Sequence, residues 1–434
     1  MSNFKIIVIG IFIVFIIAGV LVFASLGNSN GSGSGATVVI WGTLPQADMD
    51  ATIKKFTINA TYVYQDPSTF ESSFVNALAQ GTGPDVILLP QDLILKEEAK
   101  VAIIPYSSYS QRTFMDTFVQ EGELFLGKNG VIGLPFTIDP LVMYWNRDLY
   151  TGAAIATPPV HWNDLYTDVP KLTIKNSDST ISQSAVALGD YSNVDHAKDI
   201  LATLILQTGD SIVTLDPSVG TYKSTLGDKA SDQATSPAEA ALNFYTGFAD
   251  PSVSQYSWNQ SLPSSQSAFL GGSLATYFGY ASELADMRAK NPNLNFDVAS
   301  IPQASDTSVS ATFANMDAVA ILKNSKNQTG ALSVIQQLTG SDVIAYLTTL
   351  TDLPPVRRDL LAVPPQDPAL AVFYTAAIQG QGWLDPDVDS TAPLFQNMIE
   401  SVVSGQLKAS EAINSASIQL GSLLQPINHD ILAQ

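Results

Sequence analysis

The fold of this chain is decided by residues 37–90, which read TVVIWGTLPQADMDATIKKFTINATYVYQDPSTFESSFVNALAQGTGPDVILLP. Three short apolar or β-branched runs lie at 38–41, 61–64 and 85–90. Between them are two segments with the apolar spacing of a helix, the second of which ends at Gly81. The order strand-helix-strand-helix-strand with short connections predicts a parallel, doubly wound α/β sheet.

The carboxyl ends of these strands are where such a sheet binds its ligand. Four side chains suited to recognition stand there: Trp41, Asp66, Gln91 and Asp92. Carboxylates and amides bind hydroxyl groups, and an aromatic face stacks on the apolar face of a sugar ring. We therefore predict that these four residues bind ligand. Packing in the core is the alternative for Trp41.

The composition excludes several classes of protein. The chain has 434 residues with 40 acidic and 20 basic side chains, a formal net charge of -20. Because a surface this acidic repels nucleic-acid phosphates, no nucleic-acid partner is expected. The chain has no cysteine, which excludes disulfides, thiolate metal sites, cysteine nucleophiles and a lipidated N-terminal cysteine.

The N-terminus predicts a membrane anchor. Residues 6–23 are apolar or small throughout and follow Lys5. This length spans a bilayer core, and the positive charge predicts that the N-terminus is inside and the body outside the cell. We predict a transmembrane helix within residues 1–26 and a flexible Gly/Ser tether at 27–35. A cleaved signal peptide is the competing interpretation.

The sequence contains no pattern that indicates catalysis. It has no G-x-S-x-G elbow, no P-loop, no H-E-x-x-H and no G-x-G-x-x-G after a strand. Residues 385–389 alternate carboxylates as a calcium loop does, but they lack its glycine and final glutamate, so an acidic surface loop is expected. We predict no enzyme activity, no cofactor and no metal.

Aromatic residues beside glycine or proline give the second indication of a binding site. Trp41, Tyr280 and Trp383 have this setting, and Trp258 lies between polar residues in a predicted loop. Their rings can stack on sugars, which favours a carbohydrate ligand. Packing in the core or in a loop is the alternative for each of them.

Four stretches together are similar to the extracellular solute-binding proteins of ABC importers, the group that includes maltose-binding protein. They are FVNALAQGTGPDV at 74–86, GLPFTIDPLVMYWNRDL at 133–149, PPVHWNDL at 158–165 and FLGGSLATYFGY at 269–280. The resemblance covers nearly all of the chain after about residue 37. It implies a two-lobed periplasmic-binding-protein-like fold of type II, with hinge strands and a ligand cleft. Lobe I is expected at 36–138 plus 316–355, and lobe II at 139–315 plus 356–434.

The resemblance also implies roles for individual residues. Trp41 and Asp92 match positions on the rim of lobe I, and Asp139 matches an acidic ligand contact at the first hinge. Tyr280 matches a ring that stacks on ligand. Trp258 and Trp383 lie close to segments that face the cleft.

The resemblance implies a monomer that captures a small solute, expected to be a carbohydrate, and delivers it to the transmembrane subunits of an ABC permease. Closure about the hinge would follow from ligand contacts to both lobes. The alternatives are a peptide, polyamine or other solute, a sensor that uses the same fold, and a surface glycoside hydrolase.

Overall fold

A computed structural model describes residues 35–216, 218–229, 234–305, 307 and 309–432. The predicted anchor at 1–26 and nearly all of the predicted tether at 27–35 lie outside these residues. Among the described residues, no helix combines the length and the hydropathy that are needed to cross a membrane.

The strands and helices alternate along most of the chain. The strands are β1 Val38–Gly42, β2 Ala60–Tyr64, β3 Val86–Pro90, β4 Ile104–Pro105, β5 Leu126–Gly127, β6 Gly130–Val131, β7 Leu134–Asn146, β8 Ile174–Lys175, β9 Ile181–Val186, β10 Val213–Asp216, β11 Thr221–Ser224, β12 Leu274–Tyr280, β13 Phe296–Ala299, β14 Thr312–Ile321 and β15 Gly380–Gln381. The α-helices are α1 Gln46–Lys55, α2 Phe70–Ala79, α3 Ile94–Glu97, α4 Gln111–Thr117, α5 Arg147–Gly152, α6 Leu165–Leu172, α7 Ala197–Leu206, α8 Pro237–Gly247, α9 Ser265–Leu270, α10 Glu283–Lys290, α11 Gln328–Leu338, α12 Ser341–Thr351, α13 Arg358–Leu361, α14 Pro368–Ile378, α15 Val388–Val403 and α16 Ala409–Leu432. Short 3-10 helices are Gln91–Leu93, Glu98–Lys100, Gln120–Phe125 and Trp162–Asp164.

The N-terminal segment has the predicted arrangement. β1 pairs in parallel with β2 on one side and with β3 on the other. Residues 86–89 of β3 are all buried, as expected for a strand that is covered on both faces. Helix α2 buries Phe70, Phe74 and Ala77 on one face. The predicted elements of residues 37–90 are therefore confirmed.

Two long strands carry the sheet from one half of the chain to the other. The main sheet runs in the order β2-β1-β3-β14-β7-β12-β9-β8. β14 is antiparallel to β3 along residues 317–321 and to β7 along residues 314–319. β7 continues beyond this pairing and is antiparallel to β12 along residues 141–145. The sheet as a whole is mixed: β1 to β3 have the parallel pairing predicted from residues 37–90, and β9 and β12 are also parallel, whereas β14 and β7 form antiparallel pairs between these two parts.

Strand β7 also differs from its prediction. The sequence predicts strand and turn over 130–140 and a separate strand over 141–145, whereas one strand spans Leu134–Asn146. Pro135 and Pro140 suggest a break because proline has no N–H to donate to a ladder. Both prolines are in register with residues of β14, and the neighbouring residues keep the strand paired on both sides.

Two hydrophobic cores lie on either side of these crossing strands. The first includes Ile40, Phe74, Leu88, Ile138 and Val319. The second includes Tyr144, Leu201, Tyr245, Phe278 and Phe395. A chain with two separate cores and a shared sheet is a two-lobed α/β fold.

A few residues pack in the other core from the one that the predicted lobe boundaries imply. Leu95 of α3 packs in the second core although its neighbours pack in the first. Val356 and Leu361 belong to the first core, beyond the predicted boundary at residue 355. The exact lobe boundaries stay a prediction.

Candidate functional site

A cavity of about 360 Å³ lies where the two halves of the sheet meet. It is bounded by the end of β3, the start of α7, the end of β12 and the segment between β15 and α15. Its lining consists of Gln91, Asp92, Tyr191, Val194, His196, Ala197, Lys198, Asp199, Tyr280, Phe313, Asn315, Trp383, Asp385 and Val388. This volume is at the lower end of the range for small-molecule sites.

Gln91 and Asp92 form one end of the cavity, in the 3-10 turn that follows β3. Gln91 is 3% exposed, and its Nε2 donates to the Ala314 carbonyl oxygen at 2.7 Å. Its Oε1 receives no hydrogen bond from any described residue. Burial, reinforced by the nearby Asp385 and Asp317 carboxylates, raises the pKa of Asp92 to about 6.

Helix α7 starts at the cavity and places charged side chains there. His196 precedes it with φ of 61°, a left-handed conformation that residues other than glycine seldom adopt. His196 Nε2 lies 2.8 Å from Glu283 Oε1. Burial lowers the pKa of His196, but the Glu283 carboxylate outweighs it, so the net shift is upward. Because its pKa is raised, His196 stays protonated beside the Glu283 carboxylate up to a higher pH than an ordinary histidine does.

Lys198 also has a carboxylate partner. Its Nζ donates to Asp385 Oδ2 at 2.5 Å and to Thr391 Oγ1 at 2.9 Å. Asp385 is 4% exposed, so this pair is shielded from water. The prediction that residues 385–389 form an acidic surface loop is therefore wrong for Asp385, because Lys198 compensates its charge inside the protein.

Tyr280 and Trp383 bring aromatic surface to the cavity. Tyr280 is 8% exposed, and its hydroxyl donates to Asp199 Oδ2 at 2.8 Å. Burial raises the pKa of Asp199. Trp383 is 4% exposed and stacks on Phe395 with ring centroids 6.0 Å apart. Both rings are thus fixed in place by neighbours rather than free to rotate.

Gly382 determines where Trp383 lies. A Cβ on Gly382 would come 2.4 Å from Glu121 Oε1 and 2.7 Å from Gln91 Nε2. The backbone at this position therefore passes directly against the buried end of the cavity. Burial raises the pKa of Glu121 well above its usual range.

Asp139 lies beside the cavity rather than in its lining. It is the residue of β7 that pairs with Asn315 of β14, where the two crossing strands meet. The Ser282 N–H donates to Asp139 Oδ1 at 3.0 Å. Burial raises the pKa of Asp139 to about 6.

The structure does not bring the other three predicted residues to the cavity. Trp258 is 0% exposed, packs in the second core and donates from Nε1 to Asn193 Oδ1 at 2.8 Å. Trp258 differs from the prediction because its polar neighbours in sequence, Ser257 and Asn259, suggested a loop but say nothing about depth. Asp66 is exposed and accepts hydrogen bonds from Ser68 in a local turn. Trp41 packs against the first core.

Sequence reasoning missed several residues of the lining. Tyr191, His196, Lys198 and Asp199 all lie at or just before α7, which the sequence predicts only as a helix. The sequence feature that could have indicated them is a group of titratable residues, at 196, 198 and 199, at the start of an otherwise apolar helix. Only the fold shows that this helix starts opposite the end of β3.

A larger and more open hollow of about 790 Å³ lies along α15 and α16. Amide and hydroxyl side chains such as Asn259, Asn397 and Gln419 form much of its polar lining. The cavity at the meeting of the halves is the better candidate site because buried groups with shifted pKa values converge there.

Comparisons with known proteins agree with this geometry. The profile of the family described as bacterial extracellular solute-binding protein matches residues 49–372. A putative binding protein of Brucella abortus (strain 2308) is 22% identical over 361 residues, which is 80% of this chain and 81% of that protein.

Solved structures are similar over nearly the whole length. A cyclo/maltodextrin-binding protein complexed with maltotetraose has a TM-score of 0.73 and 17% identity, covering 91% of this chain and 99% of that one. A cyclic alpha-maltosyl-1,6-maltose binding protein from Arthrobacter globiformis has a TM-score of 0.74 and 15% identity, covering 90% and 99%. At this level of identity the likeness establishes the two-lobed fold.

Proposed function

The chain belongs to the bacterial extracellular solute-binding protein family, and we propose that it captures a carbohydrate for an ABC importer. The family and the similar structures are binding proteins rather than enzymes. The solute would then pass to the transmembrane subunits of a permease.

The observation that carries this proposal is the position of the cavity. Gln91 and Asp92 reach it from the end of β3, on the side of the first core. Tyr280 and Trp383 reach it from the side of the second core. A solute between them contacts both halves at once, so binding favours the closed arrangement over an open one.

Three features favour a carbohydrate. The cavity, about 360 Å³, suits a ligand of the size of one or two sugar rings. Tyr280 and Trp383 supply aromatic surface, while Gln91, Asp92 and Asn315 supply hydrogen-bonding groups. The two similar structures named above are, by their descriptions, proteins that bind maltodextrins or maltosyl sugars.

We propose that the halves are lobe I, at 36–138 plus 316–355, and lobe II, at 139–315 plus 356–434. The first core supports adding residues up to Leu361 to lobe I. The hinge would then lie in β7 and β14, near Asp139 and Asn315, where each strand leaves one half and enters the other.

We further propose that residues 1–26 anchor the protein in the membrane and that residues 27–35 tether it outside the cell. The apolar run at 6–23 and the absence of a cysteine for lipidation support the anchor. A tether of this length would raise the effective concentration of loaded protein at the permease. Cleavage of the segment as a signal peptide is the alternative.

A thermal-shift screen of the full chain tests the proposal. The protein would be held in a polyoxyethylene detergent, which carries no sugar, and screened against mono- and oligosaccharides, amino acids and polyamines. A ligand at 100 times its Kd stabilises the folded state by about 2.7 kcal/mol, so a bound sugar raises the melting temperature. A shift with an amino acid or a polyamine, and with no sugar, would contradict the carbohydrate proposal.

A further inference from the structure

One end of the cavity offers hydrogen-bond acceptors without donors. Gln91 Oε1 is buried and receives no hydrogen bond from any described residue. Among the described residues no side chain donates to the Asp92 carboxylate, which is affected by burial, by nearby charges and by its own backbone N–H. Buried acceptors of this kind need donors, and an ionised carboxylate needs a counter-charge as well.

The cations that line the cavity are already compensated. Lys198 is held by Asp385 at 2.5 Å, and His196 lies 2.8 Å from Glu283. Among the described residues of the lining there is no arginine. Within the described part of the chain no cation forms an ion pair with Asp92 or Asp199, although Lys198 acts on both through its charge and Asp199 accepts the Tyr280 hydroxyl.

We propose that the solute is an amino sugar whose protonated amino group is bound by Asp92 at the Gln91 end of the cavity. This inference rests on the proposed function, since it assumes that a sugar occupies this site. An ammonium group supplies N–H donors and one positive charge, and therefore compensates the Asp92 carboxylate with a single substituent. A hydroxyl supplies one donor and no charge.

The electrostatics of the cavity lining support this assignment. Burial together with Asp385 and Asp317 disfavours ionisation of Asp92, so its pKa rises to about 6. Lys198 acts in the opposite direction but is engaged by Asp385. A ligand cation beside Asp92 offsets the same unfavourable interactions, whereas a neutral sugar leaves the charge uncompensated.

The test compares ligands that differ only at one position. Calorimetric titration of the full chain at about pH 7 would use glucosamine, galactosamine and mannosamine, their N-acetylated forms, the parent hexoses and spermidine. We expect at least one amino sugar to bind on the order of 30-fold or more tightly than its N-acetyl and hydroxyl counterparts.

Each other result overturns the inference in a distinguishable way. Equal binding of neutral and amino sugars overturns the inference that the solute carries an amino group, but leaves the proposed carbohydrate function intact. If spermidine binds and no sugar does, both the amino-sugar inference and the proposed carbohydrate function are contradicted. A panel in which nothing binds overturns the amino sugar, and the thermal-shift screen with oligosaccharides then decides separately whether the carbohydrate function holds.

A matched pair of variants locates the amine. Asp92→Asn keeps the shape of the side chain and removes its charge, so the amino sugar should bind on the order of 30-fold or more weakly. Asp342→Asn makes the same change in net charge at an exposed position of α12, and affinity should stay unchanged. Retained affinity in Asp92→Asn would overturn the assignment of this residue, and the ligand comparison in the wild-type protein does not depend on how either variant folds.

Discussion

At the scale of single residues, burial decides which predicted site residues can meet a solute. Four of the predicted residues, namely Gln91, Asp92, Tyr280 and Trp383, line the cavity, whereas Trp41 and Asp66, predicted from the same strand-end rule as Gln91 and Asp92, do not. Sequence reasoning fails for Trp258 because an indole beside polar residues looks alike in a cleft and in a core. Sequence reasoning also did not predict the ion pair between Lys198 and Asp385, because the two residues are distant in sequence and only the fold brings them together.

Gly382→Ala should weaken ligand binding by about tenfold and lower the free energy of unfolding by about 1–3 kcal/mol. The added Cβ would lie 2.4 Å from Glu121 Oε1, so the backbone that presents Trp383 must shift. Calorimetric titration and urea unfolding measure the two effects.

Gly421→Ala is the control for this substitution. Nothing lies within 4 Å of a Cβ at that position of α16, and alanine favours a helix by about 1 kcal/mol. If Gly382→Ala behaved like Gly421→Ala, the close contact at the base of the cavity would be wrong.

Asp317→Asn should stabilise the protein more at pH 7.5 than at pH 5, by about 1–2 kcal/mol. Burial raises the pKa of Asp317 from 3.8 to about 6, although Thr137 donates to it. A carboxyl with a raised pKa contributes stability below pH 3.8, and that stability is lost as the pH rises through about 6. Urea unfolding of both proteins at the two pH values measures the difference. An equal effect at both pH values would contradict the raised pKa.

At the scale of elements, sequence predicts local order well and long-range pairing poorly. The elements of residues 37–90 follow from apolar spacing and short connections, and the structure has them in the expected order. Strand β7 is different because Pro135 and Pro140 resemble a break in sequence, while pairing to β14 and β12 keeps the strand continuous. These pairings join residues about 180 positions apart for β14 and about 135 apart for β12, and nothing local in the sequence encodes them.

Lys96→Met should weaken solute binding by up to about fivefold at low salt and by less at high salt. Lys96 of α3 lies 2.8 Å from Glu71 on its own side and 3.1 Å from Asp387, which precedes α15. The second contact links the two sides of the cavity, so it stabilises the closed arrangement. Titration at two ionic strengths measures the effect.

Arg112→Met is the control, since Arg112 pairs with Asp116 within a single exposed helix. Equal losses of affinity in both variants would show that general charge, rather than the contact to Asp387, is responsible.

At the scale of the whole molecule, the site exists only because two cores share one sheet. Each half supplies part of the lining, so neither half alone holds a complete cavity. The family and the similar structures fit this arrangement. Capture by closure therefore requires that the solute lie between the halves and not on either surface.

The location of bound sugar decides whether this description of the molecule is correct. Crystals of the full chain, grown with the sugar that gives the largest thermal shift, should show difference density between Gln91–Asp92 and Tyr280–Trp383. The hollow along α15 and α16 is the competing position because it is larger and also polar. Density at that hollow, with the cavity between the halves empty, would contradict capture between the lobes.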